Sequence, residues 1–172
     1  MEKIVILGYM GSGKTTIAKL LSEKIKIKVL DLDKIIEERL NLSVKAIFET
    51  RGEIYFRKME HQIFSELMAN DERMIVSLGG GTPCYAGNHL LLNGEGIASI
   101  YLKASVETLY ERLSSAKPDR PLLSTLEKEE MKEFIAKHLF DRSYYYNQAA
   151  FKVAVDDKSA ETIVEEIEDL LA

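Results

Sequence analysis

The chain has 172 residues, 46% hydrophobic and 30% charged, which suits one globular domain with a sizeable core and excludes a disordered segment. Acids outnumber bases 28 to 23, a net charge of −5, so general nucleic-acid binding is excluded and any phosphate site must be local. Cys84 stands alone, which forbids an intramolecular disulfide and suits a reducing cytoplasm, and no apolar run is long enough to span a bilayer.

In chain order, Ile4-Val5-Ile6-Leu7 reads as a buried strand entered without a charged-then-apolar leader. Gly8-Tyr9-Met10-Gly11-Ser12-Gly13-Lys14-Thr15-Thr16 follows and fits G-x-x-x-x-G-K-[ST], the P-loop pattern for a nucleoside triphosphate. Ile17, Ala18, Leu20 and Leu21 then recur at helical spacing, so the motif has the strand–loop–helix context it requires. Its glycines allow backbone amides to turn inward around phosphate oxygens at the positive end of the helix. Lys14 suits the β- and γ-phosphates, and the Thr15 hydroxyl suits Mg²⁺.

Lys28-Val29-Leu30 is a second strand, ending at Asp31-Leu32-Asp33, and Ile35, Ile36 and Leu40 continue as a helix. Ser43 caps another helix with Val44, Ile47 and Phe48 inward; Gly52 breaks it, and a longer helix runs from about Ile54 to Met68. Met74 to Leu78 is a third strand, stopped by Gly79-Gly80-Gly81, and Ile97 to Leu102 a fourth. Ser105 caps a helix carrying Val106, Leu109, Tyr110 and Leu113. Ser114 to Thr125, with Pro118 and Pro121, reads as a mobile loop. A long helix follows to about Tyr146, Phe151 to Val155 is a fifth strand, and Ser159 caps a last helix with Ile163, Ile167 and Leu170 inward. Strands alternating with helices imply a parallel sheet covered on both faces, with ligands at the carboxyl ends of its strands.

The P-loop, Asp31-Leu32-Asp33 and the three glycines all fall at such ends. Asp31 and Asp33, two apart, share a face in extended geometry. One would orient the Mg²⁺ shell while the other takes a substrate hydroxyl proton; the competing reading is a helix N-cap. The third strand offers Ser77 where P-loop proteins usually place an acid, which moves the metal role toward Asp31. Three consecutive glycines suggest close backbone approach to a small ligand. Arg57 and Arg142 suit a carboxylate or phosphate, and Arg120 in the loop suits a lid, although each read alone is a solvated surface charge. His61, His89 and His138 lack ligand spacing and read as ordinary surface or helix residues. At most two of Tyr144-Tyr145-Tyr146 can face a core.

The ordered set Gly8-x4-Gly13-Lys14-Thr15, Asp31-x-Asp33, Phe56-Arg57-x2-Glu60, Gly79-Gly80-Gly81, Arg120-Pro121-Leu122-Leu123 and Arg142-x3-Tyr146 resembles shikimate kinase over nearly the whole chain. The resemblance implies an α/β fold: a three-layer P-loop kinase domain, 1–172, of the nucleoside-monophosphate-kinase type. It implies a five-stranded parallel sheet in order 2-3-1-4-5, a lid at about 114–125 and a substrate-binding helical segment at about 33–61. The implied activity is transfer of the γ-phosphoryl group of ATP to the 3-hydroxyl of shikimate, on the route to chorismate and the aromatic amino acids. By the same resemblance Lys14, Asp33 and Arg120 are catalytic, with Asp33 the candidate base. Gly11, Ser12, Gly13, Lys14, Thr15, Thr16, Arg112 and Arg120 bind ATP, and Thr15 and Asp31 hold Mg²⁺. Asp33, Arg57, Gly79, Gly80, Gly81 and Arg142 bind shikimate, in a pocket lined by Phe48 and Phe56. A further basic neighbour of adenine after the last strand has no clear counterpart in Asp156-Asp157-Lys158, and Tyr144 stands where many members have Pro. We expect a cytoplasmic monomer with no nucleic-acid or membrane partner. Gluconate or nucleoside-monophosphate kinases on the same scaffold, and a catalytically silent nucleotide-binding module, are the competing readings.

Overall fold

The computed structural model describes residues 3–115 and 127–172. Five parallel strands form one sheet in the order β2-β3-β1-β4-β5: β1 Lys3–Leu7, β2 Val29–Asp31, β3 Met74–Ser77, β4 Ile97–Lys103 and β5 Phe151–Ala154. The expected order 2-3-1-4-5 is the observed one. β1 is central, with Ile4 paired to Ile75 of β3 and to Ala98 of β4. A strand covered on both faces must be apolar throughout, and all five residues of β1 are buried. The exception proves satisfiable: Lys3 is buried too, and its Nζ donates to the Asn70 carbonyl at 2.5 Å.

The helices are α1 Lys14–Ile25, α2 Leu32–Leu40, α3 Val44–Arg51, α4 Glu53–Ala69, α5 Val106–Ser115, α6 Lys128–Tyr146 and α7 Ala160–Leu171. Parallel crossovers are right-handed. The step from β1 to β2 runs one way along the sheet, and the steps to β3, β4 and β5 run the other. α1 therefore lies on one face, where α7 packs against it, while α2–α4 and α5–α6 cover the other. Adjacent strands β1 and β3 send their chains to opposite faces, which opens a crevice beyond their carboxyl ends. Gly8–Gly13 lie on one side of that crevice and Gly79–Gly81 on the other.

The serine caps form as expected: Ser43, Ser105 and Ser159 accept from the amides of Ala46, Thr108 and Thr162 at 3.1–3.2 Å. Other expectations need correction. Asp31 closes β2 and caps α2, accepting from the Lys34 amide at 3.2 Å, while Asp33 already lies in the first helical turn. The two therefore do not share an extended face; the cap reading holds for Asp31. Ser114 and Ser115 complete α5, their hydroxyls bonding back to the carbonyls of Tyr110 and Glu111. The rest of the expected loop, with Pro118, Arg120, Pro121, Leu122 and Leu123, lies outside the described residues. Leu170 is exposed and Leu171 packs in its place. Two 3₁₀ segments, Thr82–Cys84 and Asn88–Asn93, occupy a stretch the periodicity left blank.

Candidate active site

The P-loop is assembled locally. Gly11 and Gly13 sit at φ +83° and +99°, which side-chain-bearing residues resist, and α1 begins immediately at Lys14. The first amides of α1 therefore open into the crevice beside the loop. Lys14 Nζ donates to the carbonyls of Gly8 and Tyr9 at 2.7 and 3.1 Å, laying its ammonium across the loop. The resulting cleft, about 590 Å³, is lined by Met10 to Thr16, Asp31, Asp33, Ser77, Gly79, Gly80, Arg112 and Lys158. Arg112 reaches it from α5 and donates to the Gly11 carbonyl at 3.1 Å. Lys158, whose place the sequence left open, stands at the cleft wall and pairs with Glu166 at 2.6 Å.

The far wall of the crevice answers the question of the three glycines. Their backbone angles are not left-handed; space is what they supply. A Cβ at Gly79 would lie 3.1 Å from Asp33 Oδ1, at Gly80 3.0 Å from an Arg142 Nη1, and at Gly81 2.8 Å from an Arg57 Nη2. Each glycine thus makes room for one of the three side chains expected to hold the acceptor. Gly80 also approaches the P-loop, its Cβ position being 3.6 Å from the Met10 amide. Asp33, Arg57 and Arg142 come from α2, α4 and α6, and they meet at one seam.

Asp33 is half-buried. Burial pushes its carboxyl up to about 6; the charges of Asp31 and Glu60 act the same way, and Lys14 opposes them. A carboxylate so placed is poised to exchange a proton near neutrality. Arg57 stacks over Tyr85, 3.9 Å from the ring centre, and lies 5.2 Å from that of Phe56, whose ring packs on Phe48 at 4.6 Å. Its Nη1 pairs with Glu60 at 2.8 Å. Its buried Nε lies 3.9 Å from Glu53 Oε1, an ion pair too long for a hydrogen bond, and has no hydrogen-bond acceptor among the described residues.

Four residues take part without a role assigned from sequence: Glu60 and Tyr146, which the motif set contains, and Thr82 and Asn88, which it does not. Glu60 is 1% exposed and also accepts from the Thr82 hydroxyl at 2.8 Å. Asn88 extends this web, donating to the Thr82 carbonyl and bonding His61 at 2.7 Å. Glu60 was findable: an acid sits on the apolar stripe Phe56, Ile63, Phe64, Leu67 of α4. Tyr146 is the core member of the tyrosine run, donating to the Gly80 carbonyl at 2.5 Å and accepting from Arg142 at 3.4 Å. Burial raises its phenol well above the ordinary range, so it stays a neutral donor. Tyr145 leans on His89, and Tyr144 is exposed. His61 and His138 are helix residues, as expected, of α4 and α6, and each is bonded to a neighbouring element: His61 to Asn88 and His138 to Tyr9. Cys84 is half-buried as expected, and burial pushes its thiol up to about 11, away from reactivity.

Among the described residues, no group of three or more His, Cys, Asp or Glu side chains is arranged to hold a metal alone. The donors that do line the cleft, the Thr15 hydroxyl with Asp31 and Asp33, are hard oxygens beside a phosphate cradle. That set fits Mg²⁺, which takes one or two protein oxygens and fills its octahedron with phosphates and water. Burial and the neighbouring Asp31 charge both disfavour an ionised Asp33, and a cation in the cleft would offset them.

Comparison with known proteins agrees with this geometry. The family model for shikimate kinase matches residues 10–172. The chain is 61% identical over 172 residues to the shikimate kinase of Flavobacterium johnsoniae, covering 100% of both. It is 53% identical over 171 residues to that of Flavobacterium psychrophilum, covering 99% of each. Among solved structures, the shikimate kinase of Bacteroides thetaiotaomicron superposes with a TM-score of 0.89 at 34% identity, over 99% of this chain and 98% of that one. The shikimate kinase of Acinetobacter baumannii in complex with shikimate gives 0.85 at 28% identity, over 99% and 93%.

Proposed function

This chain belongs to the shikimate kinase family, and on that footing we propose how its residues divide the work. The enzyme transfers the γ-phosphoryl group of ATP to the 3-hydroxyl of shikimate, giving shikimate 3-phosphate and ADP, in aromatic amino-acid biosynthesis. Gly11, Ser12, Gly13, Lys14, Thr15 and Thr16 hold the phosphates, and Arg112 borders the nucleotide. Asp33 orients the acceptor and accepts its proton as the oxygen–phosphorus bond forms. Arg57 and Arg142 grip the shikimate carboxylate through paired N–H···O bonds, beside Gly79, Gly80 and Gly81. Arg120, in the stretch after α5 that lies outside the described residues, is assigned to the transferring group, and residues 33–61 form the acceptor-binding segment of a single domain spanning 1–172. Thr15 and Asp31 would hold Mg²⁺, which would supply positive charge to offset that of the phosphates. The observation that carries these assignments is the pairing of Asp33, Arg142 and Arg57 with Gly79, Gly80 and Gly81 across from the P-loop.

The protein acts as a monomer in the cytoplasm, without nucleic-acid or membrane partners. The net charge of −5 disfavours a nucleic-acid partner and the single cysteine suits a reducing compartment; no helix among the described residues is long and apolar enough to cross a membrane.

A coupled ADP-release assay across shikimate, gluconate and nucleoside monophosphates tests the assignment. Turnover is expected with shikimate and Mg²⁺ together; ATP binding without turnover on any acceptor would return the silent-module reading. Lys14→Ala is expected to lower kcat about 10²-fold, the size of losing one electrostatic contact to the transferring group, with a cooperative melt retained. A change within twofold would show that Lys14 does not touch that group.

A further inference from the structure

Arg142 has a foundation that the shared motif does not describe. Tyr9, the first variable position of the P-loop, is 1% exposed. Its ring lies beneath Arg142, whose Cζ is 5.6 Å from the ring centre. Its hydroxyl meets His138 Nδ1 at 3.0 Å, and the two rings stand edge to face with centres 5.4 Å apart. His138 and Arg142 are one turn apart on α6, so both reach the same tyrosine. Phenylalanine would fill the same space. A buried hydroxyl adds a polar group that must be satisfied, and His138 satisfies it. Burial and the nearby Arg142 charge hold His138 below its usual range, which keeps the ring neutral and able to pair with a phenol.

We propose that Tyr9 is a positioning residue for the acceptor: its ring, fixed in place by the hydrogen bond to His138, seats the Arg142 guanidinium toward the acceptor carboxylate. This rests on the reading of Arg142 as one half of the carboxylate clamp. A guanidinium on a flexible stem loses rotamer freedom when it binds. An aromatic face beneath it pre-organises it while leaving its N–H edge free for the ligand. Tyr146, one turn further along α6, adds a second contact: its hydroxyl accepts from Arg142 and donates to the Gly80 carbonyl. The nucleotide loop thereby forms part of the acceptor pocket: its backbone faces phosphate and one of its side chains sets the acceptor's anchor.

The test is a mutant cycle in steady-state kinetics, with melting curves as the fold control. Tyr9→Leu is expected to raise the KM for shikimate about 10-fold and to leave the KM for ATP within about twofold, because it removes the cation–π seat together with the bond to His138 and leaves the loop backbone in place. Tyr9→Phe, which keeps the ring, should raise it only about 2–3-fold. In an Arg142→Ala background Tyr9→Leu should add nothing further. Equal increases in both KM values, or full additivity with Arg142→Ala, would overturn the proposal. If Arg142→Ala itself leaves the shikimate KM unchanged, the clamp reading fails instead. Should Tyr9→Leu not fold, Tyr9→Phe and His138→Phe decide. Equal, non-additive increases in shikimate KM support the seat, and independent, additive or absent ones refute it.

Discussion

Asp33→Asn will abolish most activity and make the protein more stable. Asn is isosteric but cannot take a proton from the acceptor hydroxyl, so kcat/KM should fall about 10³-fold or more. The stability gain follows from the same burial that tunes the base. With its carboxyl at about 6 in the fold against 3.8 in the open chain, Asp33 holds a proton in the native state where the unfolded state has lost it. Stability therefore declines as pH rises from about 4 to 6 and stays reduced above. At pH 7 the ionised side chain costs about 1–3 kcal/mol, the upper figure being the full pKa difference and the lower allowing for partial exposure. Removing it should raise the melting temperature of the nucleotide-free protein by about 3–8 °C at pH 7. The difference from wild type should shrink toward zero near pH 4. Calorimetry on both proteins at the two pH values checks this. A lower melting temperature for the variant at pH 7 would mean the charge is compensated by contacts beyond those described.

Arg57→Ala should damage both binding and folding, and a second change separates the two. Losing half of the carboxylate clamp should raise the shikimate KM about 10²-fold, the worth of a desolvated, charge-assisted pair. It also leaves Glu60 buried with only the Thr82 hydroxyl for company. An uncompensated buried carboxylate costs about 3–5 kcal/mol, or about 6–15 °C in melting temperature. Adding Glu60→Gln removes that charge and preserves the bond from Thr82, so the double variant should regain most of the lost stability. Its shikimate KM should stay high, because the guanidinium is still missing. Recovery of affinity along with stability would show that Arg57 acts only by holding α4 in shape.

The lesson from these residues concerns distance along the chain. The P-loop was fully legible, because its parts are neighbours: a strand, a turn with two left-handed glycines, and a helix start at Lys14. The serine caps were legible for the same reason. Asp31 and Asp33 were misjudged in geometry because cap and strand-end readings compete within three residues, and only the start of α2 decides between them. Glu60 betrayed itself by sitting on an apolar stripe, yet nothing local named Arg57 and Thr82 as its partners. Among the tyrosines, helical spacing limited how many could be core without saying that Tyr146 was the one.

Local pattern alone therefore determined the alternating strands and helices, the parallel sheet and the phosphate cradle, since hydrophobic period, glycine and capping act over a few residues. The ordered motifs then sufficed to suggest the family. Tertiary structure decided which arginines count. Arg57 meets Gly81 and Arg142 meets Gly80 across 24 and 62 positions of chain, contacts that exist because α4 and α6 both pack on the segment that follows β3, while β3 beside β1 brings the P-loop up to Gly80. The same holds for Tyr9 under Arg142. Strand order is a property of the whole packed sheet, and no window of sequence contains it.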